Sequence, residues 1–210
     1  PRLFGGSNNE TLGTDSAMYE FMTNQGVPPE QAKDYVKGMP TYWGDQPIVA
    51  APAYIGIIVF YLAILAVFTE KRKIKYVFLG GALLSLLLSW GKNFSILTDF
   101  CIDYIPLYDK FRAVSSTQVI LELCLPVLAI IGLQSFLKLD KDQQKKEWFR
   151  TTGISLGILS VLFLAKDLFS FSANGDDYFL KNYGIDFIEA LKSDRKTLYS
   201  ADLLRSSFFI

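Results

Sequence analysis

The sequence predicts an all-α fold, a polytopic bundle of transmembrane helices with short helices in the loops of its outer face. Half of the 210 residues are apolar, and the mean hydropathy is +0.25. The 21 basic and 21 acidic residues cluster in short stretches, and the stretches between them are nearly all apolar. The apolar runs match the thickness of a bilayer core, and the charge of the loops alternates as a membrane topology requires.

Four apolar runs define the predicted spans. The first, Ile48–Phe68, contains no charged residue, Asn or Gln over 21 residues. As a helix it is roughly 30 Å long, which is the thickness of the hydrocarbon core. A soluble helical bundle is the weaker interpretation, because a buried soluble helix rarely needs apolar side chains on every face. The predicted spans cover residues 48–68, 74–90, 117–137 and 151–171, and a fifth begins at residue 203.

The loops between these spans differ in charge. Residues 69–75 hold four basic residues and one acidic residue, and residues 138–150 hold five basic and three acidic residues. The intervening loop, 91–116, holds three of each sign, and residues 1–47 hold three basic and six acidic residues. Because Lys and Arg favour the cytoplasmic side in short loops, the pattern places 69–75 and 138–150 inside and the other segments outside.

The outer segments are predicted to be ordered. In residues 1–47, Thr14 or Asp15 caps a helix that ends near Asn24, and Pro28-Pro29 opens a second helix.

Two further outer segments are predicted to be amphipathic. The loop 91–116 carries an interfacial helix with Asn93 as its cap. Residues 172–202 form a polar segment, in which a cap at Ser200 or Asp202 opens the next span.

Three basic residues of the outer loop are candidates for binding a phosphate or a lipid headgroup: Lys92, Lys110 and Arg112. The guanidinium of Arg112 is a planar fork that suits phosphate. The alternative is that Lys110 and Arg112 extend from the third span to the interface, as basic residues at span ends commonly do.

Four acidic residues of the outer face are candidates for proton transfer: Asp45, Asp99, Asp103 and Asp109. The chain contains no His, so acid–base chemistry near neutral pH falls to carboxylates, Tyr or Lys. The alternative is that Asp45 stabilises a turn and that the three acids of the loop are simply solvated.

Two ionisable residues lie within the predicted spans. Glu122 lies about one and a half turns inside the third span, and Lys166 lies near the outer end of the fourth. Such groups are costly in a membrane and usually face a cavity or a partner. Lys166 or Arg112 is the candidate partner of Glu122, and an interhelical hydrogen bond that fixes packing is the alternative.

The composition excludes several classes of protein. Zero net charge leaves no basic excess to neutralise phosphates, so nucleic acid is not an expected partner. Two Cys and no His exclude zinc fingers, Cys/His nucleophile pairs and disulfide scaffolds. No metal site and no cofactor are evident, and membrane lipids are the expected partners.

Several motifs of the sequence occur together and in a fixed order. They are PRLFGGS, GVPPEQAKDYVKGMPTYWGDQP, LLSWGKNF, DYIPLYDKFRAVSS and LKSDRKTLYSADLLRSSFFI. On these motifs the chain resembles the YfhO-type bacterial membrane proteins, in the form common in Bacteroidetes, over nearly its whole length. That family resembles the GT-C superfamily of integral membrane glycosyltransferases, which take a sugar from a polyprenyl-phosphate carrier.

The resemblance implies a multi-pass protein of the bacterial cytoplasmic membrane. It would transfer a sugar from a polyprenyl-phosphate-linked donor to a cell-envelope polymer at the outer face. In such folds the catalytic carboxylate usually lies in a first large outer loop. We expect that loop to precede this segment of a longer protein, so no catalytic residue is assigned. The pair Phe111-Arg112 is the part that the resemblance places near the lipid phosphate.

Two other functions stay open on the sequence. A lipid or polysaccharide transporter needs a continuous polar path, for which the spans offer only Glu122, Gln134, Lys166 and a few Ser and Thr residues. A non-catalytic scaffold for envelope assembly needs no such path. Whether the chain is an enzyme is therefore undecided at this point.

Overall fold

The computed structural model describes residues 10–44, 55–106, 108–110 and 117–210. These residues form helices, with one isolated parallel bridge between Gly44 and Ala173, and the all-α prediction is confirmed. Short 3-10 turns lie at Gly91–Phe94, Tyr108–Lys110 and Ala165–Leu168. The helices are α1 (Ala17–Asn24), α2 (Pro29–Lys37), α3 (Ile57–Thr69), α4 (Ile74–Ser89), α5 (Ser95–Tyr104), α6 (Gln118–Leu137), α7 (Lys141–Leu164), α8 (Asp176–Tyr183) and α9 (Ile185–Phe208).

The chain divides into two compact units. Ala53–Leu156 forms the central unit, and Pro1–Pro52 together with Gly157–Phe209 forms the terminal unit. The terminal unit thus combines segments from the two ends of the sequence, and α7 contributes residues to both units.

Small residues line the helix contacts of the central unit. α6 packs against α3 and α4. A Cβ atom built on Gly132 of α6 would lie only 2.7 Å from the Cβ of Ala66 on α3, and one built on Gly81 of α4 would lie 3.2 Å from the Sγ of Cys124. Such contacts let helix backbones approach closely, as they do in membrane helix pairs. The buried core consists of Ala63, Ala66, Ala82, Leu121, Cys124, Leu125 and Leu128.

Other large apolar side chains of these helices are exposed. On α6, Leu123 is 65% exposed and Ile130 is 69% exposed. Soluble proteins rarely expose a large contiguous apolar surface, so this arrangement needs an apolar surrounding. The outward apolar residues of α4 and α6 are Ile74, Tyr76, Val77, Leu83, Leu84, Val119, Ile120, Leu123, Ile130, Leu133 and Leu137.

Two helices are long and apolar enough to cross a membrane, judged by length and composition. They are Gln118–Leu137 and Lys141–Leu168, the second being α7 with the 3-10 turn that follows it. α3 and α4 are apolar but have only 13 and 16 residues. α3 begins at Ile57, directly after Gly56, whose φ is 80°. Two of the four predicted spans therefore meet the criterion in the described part of the chain.

Most of the segment 138–150, predicted as the loop after the third span, is helical, and its inner location stays a prediction. α7 begins at Lys141, where Asp140 accepts a hydrogen bond from the backbone N–H of Gln143 at 2.8 Å. The Lys, Gln and Glu residues that follow are good helix formers, and charge on a segment does not prevent a helix. The turn between α6 and α7 is reduced to residues 138–140.

Two predicted helix caps lie at different residues in the structure. α1 is capped by the Ser16 hydroxyl, which accepts a backbone N–H, and not by Thr14 or Asp15. α5 follows the 3-10 turn directly, so its N-cap position is Phe94 rather than Asn93, with no side-chain hydrogen bond. At α1 the prediction missed the cap by one or two residues because several residues that can cap a helix are adjacent in the sequence. At α5 it missed the cap by one residue because the turn before the helix is itself helical.

The terminal unit has its own core, in which α9 packs against α1 and α8. α9 is unbroken, and at the predicted cap the Ser200 hydroxyl donates to the carbonyl of Lys196 within the helix at 2.9 Å. The prediction that a helix begins at Ser200 or Asp202 is therefore wrong. The core residues are Leu12, Met18, Val36, Phe187, Ile188 and Leu191.

Replacing Gly132 by Ala is expected to lower the free energy of unfolding by about 1–3 kcal/mol, because the added methyl group overlaps Ala66. Gly80→Ala is the matched control, since a Cβ atom there meets nothing within 4 Å. The two substitutions change helix propensity equally, so their difference isolates the contact. The measurement is denaturant unfolding of the detergent-solubilised protein, and equal stabilities of the two variants would contradict the close packing of α3 and α6.

Candidate functional site

The sequence-predicted site residues of the outer loop that the structure describes lie on α5 and in the two 3-10 turns that contact it. Asp99 and Asp103 lie one turn apart on α5 with exposed side chains, and Lys110 is exposed in the 3-10 turn Tyr108–Lys110. The outer-face predictions for these three residues therefore stay predictions. Of the other candidates, Lys92 and Asp109 lie in 3-10 turns, and Asp45 and Arg112 lie outside the described residues.

The two ionisable residues of the predicted spans lie in different units. Glu122 of the central unit is exposed on α6 and makes no ion pair with a described residue. Lys166 of the terminal unit lies in the 3-10 turn after α7, with its Nζ 4.4 Å from the ring centroid of Phe163. Their pairing with each other stays a prediction.

A buried guanidinium forms the polar centre of the terminal unit, and sequence reasoning missed it. Arg195 of α9 is 1% exposed. Its Nη1 and Nη2 donate to the two carboxylate oxygens of Asp176 on α8, at 2.8 and 2.9 Å. Nη1 also donates to the carbonyl of Phe171 at 2.9 Å. Nε and Nη2 donate to the carbonyl of Pro40 at 3.3 and 3.0 Å.

This geometry makes Arg195 a positioning residue. A guanidinium carries five N–H groups, and those five are used within the protein. The bidentate pair with Asp176 fixes the orientation of the fork, and the Asp176 carboxylate also accepts the backbone N–H of Ala173 at 2.8 Å. Because no N–H group is left for a ligand, the guanidinium holds backbone segments together and does not bind phosphate.

Four aromatic rings pack together next to the buried guanidinium. Phe171 connects the two, because its carbonyl accepts a hydrogen bond from Arg195 and its ring belongs to the aromatic cluster. All six pairs of ring centroids among Trp43, Phe169, Phe171 and Tyr199 lie 4.8 to 6.2 Å apart. Phe171 has a φ of 50°, a conformation that costs a side-chain-bearing residue about 1 kcal/mol or more. The bond from Arg195 to its carbonyl and the packing of its ring offset this strain.

The indole of Trp43 is the unsatisfied member of the aromatic cluster. Its Nε1 is buried without a hydrogen-bond partner, whereas the Tyr199 hydroxyl donates to the carbonyl of Leu162 at 3.2 Å. A bridge between Gly44 and Ala173 holds the segment after Trp43 beside the loop that carries Phe171. The aromatic cluster therefore packs the segment that contains Trp43 against the loop that contains Phe169 and Phe171.

Asp194 of α9 is a second buried carboxylate of the terminal unit, and it caps α1. Asp194 accepts the backbone N–H groups of Ala17 at 2.7 Å and Met18 at 2.9 Å. Burial raises the pKa of Asp194, and these two hydrogen bonds oppose the rise. Because folding raises the pKa of Asp194, the contribution of this group to stability is full below its unfolded pKa. The contribution is lost as the pH rises through the higher folded pKa.

The central unit contains a buried carboxylate in its basic turn. Glu70 accepts hydrogen bonds from the backbone N–H and the Nη2 of Arg72, both at 2.7 Å, and from the Ser135 hydroxyl at 2.8 Å. The guanidinium bond is the main cause that lowers the pKa of Glu70 to about 2, against the opposing effect of burial. Glu70 thereby ties the turn after α3 to the end of α6.

The comparisons with known proteins give no relative from which to assign a role. No family model, no curated protein and no solved structure matches the chain. The described residues contain no group of three or more Cys, Asp or Glu side chains placed to hold a metal ion. The resemblance to YfhO-type proteins thus rests on the sequence motifs, and the activity it implies stays a prediction.

Replacing Arg195 by Met is expected to lower the free energy of unfolding by about 3–5 kcal/mol, because Asp176 is left buried without its partner. Arg195→Lys is expected to recover only part of this loss, since an ammonium cannot make the bidentate pair. The measurement is denaturant unfolding followed by circular dichroism.

Lys37→Met is the control for this experiment. Lys37 pairs with Asp34 at 2.9 Å on α2, and both side chains are exposed, so its loss should cost about 1 kcal/mol or less. Equal, small losses for the two Met variants would refute the central role of Arg195.

Glu70→Gln is expected to have an effect on stability that depends on pH. Because folding lowers the pKa of Glu70 from 4.5 to about 2, its ionised form stabilises the fold fully above the unfolded pKa and loses this effect as the pH falls toward the folded pKa. The difference in unfolding free energy between the native protein and the variant should be constant from about pH 7 to 5 and shrink below about pH 4.5. A difference that is unchanged or larger at pH 3 would contradict the Glu70–Arg72 pair.

Proposed function

We propose that the protein is embedded in the bacterial cytoplasmic membrane and transfers a sugar from a polyprenyl-phosphate-linked donor to a cell-envelope acceptor at the outer face. The observation that carries the proposal is the apolar outward surface of α4 and α6 in the central unit. Large apolar side chains cover the outside of this helix pair, and small residues such as Gly81 lie at its contact. This distribution suits helices surrounded by lipid, where close packing rather than burial from water holds them together.

The burial of the two long helices supports a membrane location over a soluble one. A core helix of a soluble protein is mostly buried, whereas only 33% of the apolar window of α6 and 17% of that of α7 are buried. Apolar helices left this exposed would associate or aggregate in water. We therefore infer that lipid covers them, with the shorter α3 and α4 completing the four-span bundle.

The turns after α3 and α6 lie at the same end of the central unit, which supports the proposed orientation. Ser135, near the end of α6, donates to Glu70, which follows α3, at 2.8 Å. The Thr69 hydroxyl also lies 3.3 Å from the carbonyl of Gly132 and donates to it. The turn after α3 is basic, and the turn after α6 leads into the basic first turns of α7. Basic segments beside span ends favour the cytoplasmic side.

The opposite end of the central unit carries the outer segment with the candidate phosphate-binding residues. The side chain of Gln118 at the start of α6 donates to the Ser89 hydroxyl at the end of α4, at 3.4 Å. The segment between these two residues contains Lys92, Lys110 and Arg112. In the proposed reaction these cations stabilise the departing lipid phosphate, and a carboxylate deprotonates the acceptor hydroxyl.

The orientation is tested with single cysteines at two exposed residues of the central unit. In a background in which Cys101 and Cys124 are replaced by Ser, Lys110→Cys and Lys141→Cys are treated with a membrane-impermeant maleimide in intact spheroplasts. We expect Lys110→Cys to be labelled and Lys141→Cys to be labelled only after lysis. Equal labelling of both, or recovery of the protein in the soluble fraction without detergent, would exclude the proposed topology.

The reaction is tested on the purified protein in lipid vesicles. A labelled polyprenyl-phosphate sugar is supplied with cell-envelope polymer, and transfer is expected only in vesicles that contain the protein. Lys110→Ala is expected to slow transfer about tenfold, the effect of losing one hydrogen bond to a charged group. Absence of transfer by correctly inserted protein would refute the enzyme, and movement of the intact donor across the bilayer would indicate a transporter instead.

A further inference from the structure

An Asn-Gly pair lies at the surface of the terminal unit, in the turn that leads into α8. Asn174 and Gly175 are both exposed. The backbone N–H of Asp176 donates to the carbonyl of Ala173 at 3.0 Å, so the pair occupies the two central positions of a β-turn. Asn174 is the one Asn of the sequence that precedes a Gly.

This pair has the composition for an intramolecular reaction of the Asn side chain. The backbone nitrogen of Gly175 is the nucleophile, and the side-chain carbonyl carbon of Asn174 is the electrophile. The two atoms are held close by the chain itself, which removes most of the entropic cost of their encounter. Gly favours the attack because it brings no side chain against the approach and its backbone rotates easily. A Cβ atom built on Gly175 would meet nothing within 4 Å, so the turn has room to adjust.

We propose that Asn174 is a site of spontaneous modification, where the folded chain forms a succinimide that water converts to isoaspartate or aspartate. The bond from the Gly175 nitrogen to the side-chain carbon forms as the bond from that carbon to the amide nitrogen breaks, and the displaced nitrogen leaves with the Gly175 proton as ammonia. Water then adds to one of the two ring carbonyl carbons and reopens the ring. Opening on the side-chain side restores the normal backbone with an aspartate side chain. Opening on the main-chain side gives isoaspartate, in which the backbone runs through the former side chain.

The place of this turn gives the modification a structural effect. Nη1 of Arg195 donates to the carbonyl of Phe171 at 2.9 Å and to the carboxylate of Asp176 at 2.8 Å, and these acceptors lie on either side of the Asn-Gly pair. The backbone N–H of Ala173 also donates to that carboxylate at 2.8 Å. Isoaspartate lengthens the main chain between the two acceptors by one methylene group. Because one nitrogen holds both acceptors, the longer segment is expected to weaken the buried pair of Arg195 and Asp176.

The reaction is tested by incubating the full chain in detergent at warm, mildly alkaline conditions and mapping its peptides by mass spectrometry. We expect Asn174 to convert, with electron-transfer fragmentation identifying isoaspartate. Asn182, which is also exposed but precedes Tyr183, should stay unchanged. Gly175→Ala should slow the conversion about tenfold or more, and it suits the φ of −83° and the open space at this position.

The chain unfolded in urea is the positive control for this chemistry. If it converts while Asn174 of the folded chain stays unchanged, the fold protects the pair and the proposal is overturned. Conversion of Gly175→Ala at the native rate would overturn it as well.

The structural effect is tested on the modified chains. Ion exchange isolates them by their added negative charge, and their denaturant unfolding is compared with that of Asn174→Asp, which adds the same charge without lengthening the backbone. Asn174→Asp should unfold close to the native chain because its position is exposed. The modified chains should contain a population that unfolds at a lower denaturant concentration. A single midpoint equal to that of Asn174→Asp would refute the effect on the Arg195 pair.

Discussion

The terminal unit depends on the burial of one guanidinium. Removing an Arg side chain from water costs several kcal/mol unless each N–H group finds a partner, and Arg195 finds them in Asp176 and in the carbonyls of Phe171 and Pro40. These partners come from two chain segments, one at Pro40 and one from Phe171 to Asp176, so neither segment can move alone without leaving buried polar groups unpaired. The strained backbone of Phe171 persists because this network and the aromatic packing hold it on both sides.

The two units bury polar groups to different extents. The central unit packs small residues such as Gly132 at its helix contacts and leaves apolar side chains such as Leu123 exposed, whereas the terminal unit buries polar groups such as Arg195 and Asp194. Small residues at a contact let two helices approach closely. Buried polar groups require hydrogen bonds, which Arg195 and Asp194 make within the terminal unit.

Local signals explain what the sequence predicted well. The apolar runs and the prolines that open α2 act within a few residues, and they identify the helices of both units. Arg195 was missed because it lies in the charged stretch SDRK, which resembles a solvated segment. The available signal was spacing: Arg195 lies four residues from both Leu191 and Tyr199, on the buried face of α9.

The cap that Asp194 provides to α1 has a consequence for the order of assembly. The carboxylate and the N–H group of Ala17 are 177 positions apart, so the first helix of this segment is synthesised long before its partner exists. Closing so long a loop is slow, and α1 and α2 must wait with their apolar faces uncovered while the intervening helices are made. The terminal unit is therefore completed last, and a ribosome that stalls before Asp194 leaves both early helices without their core.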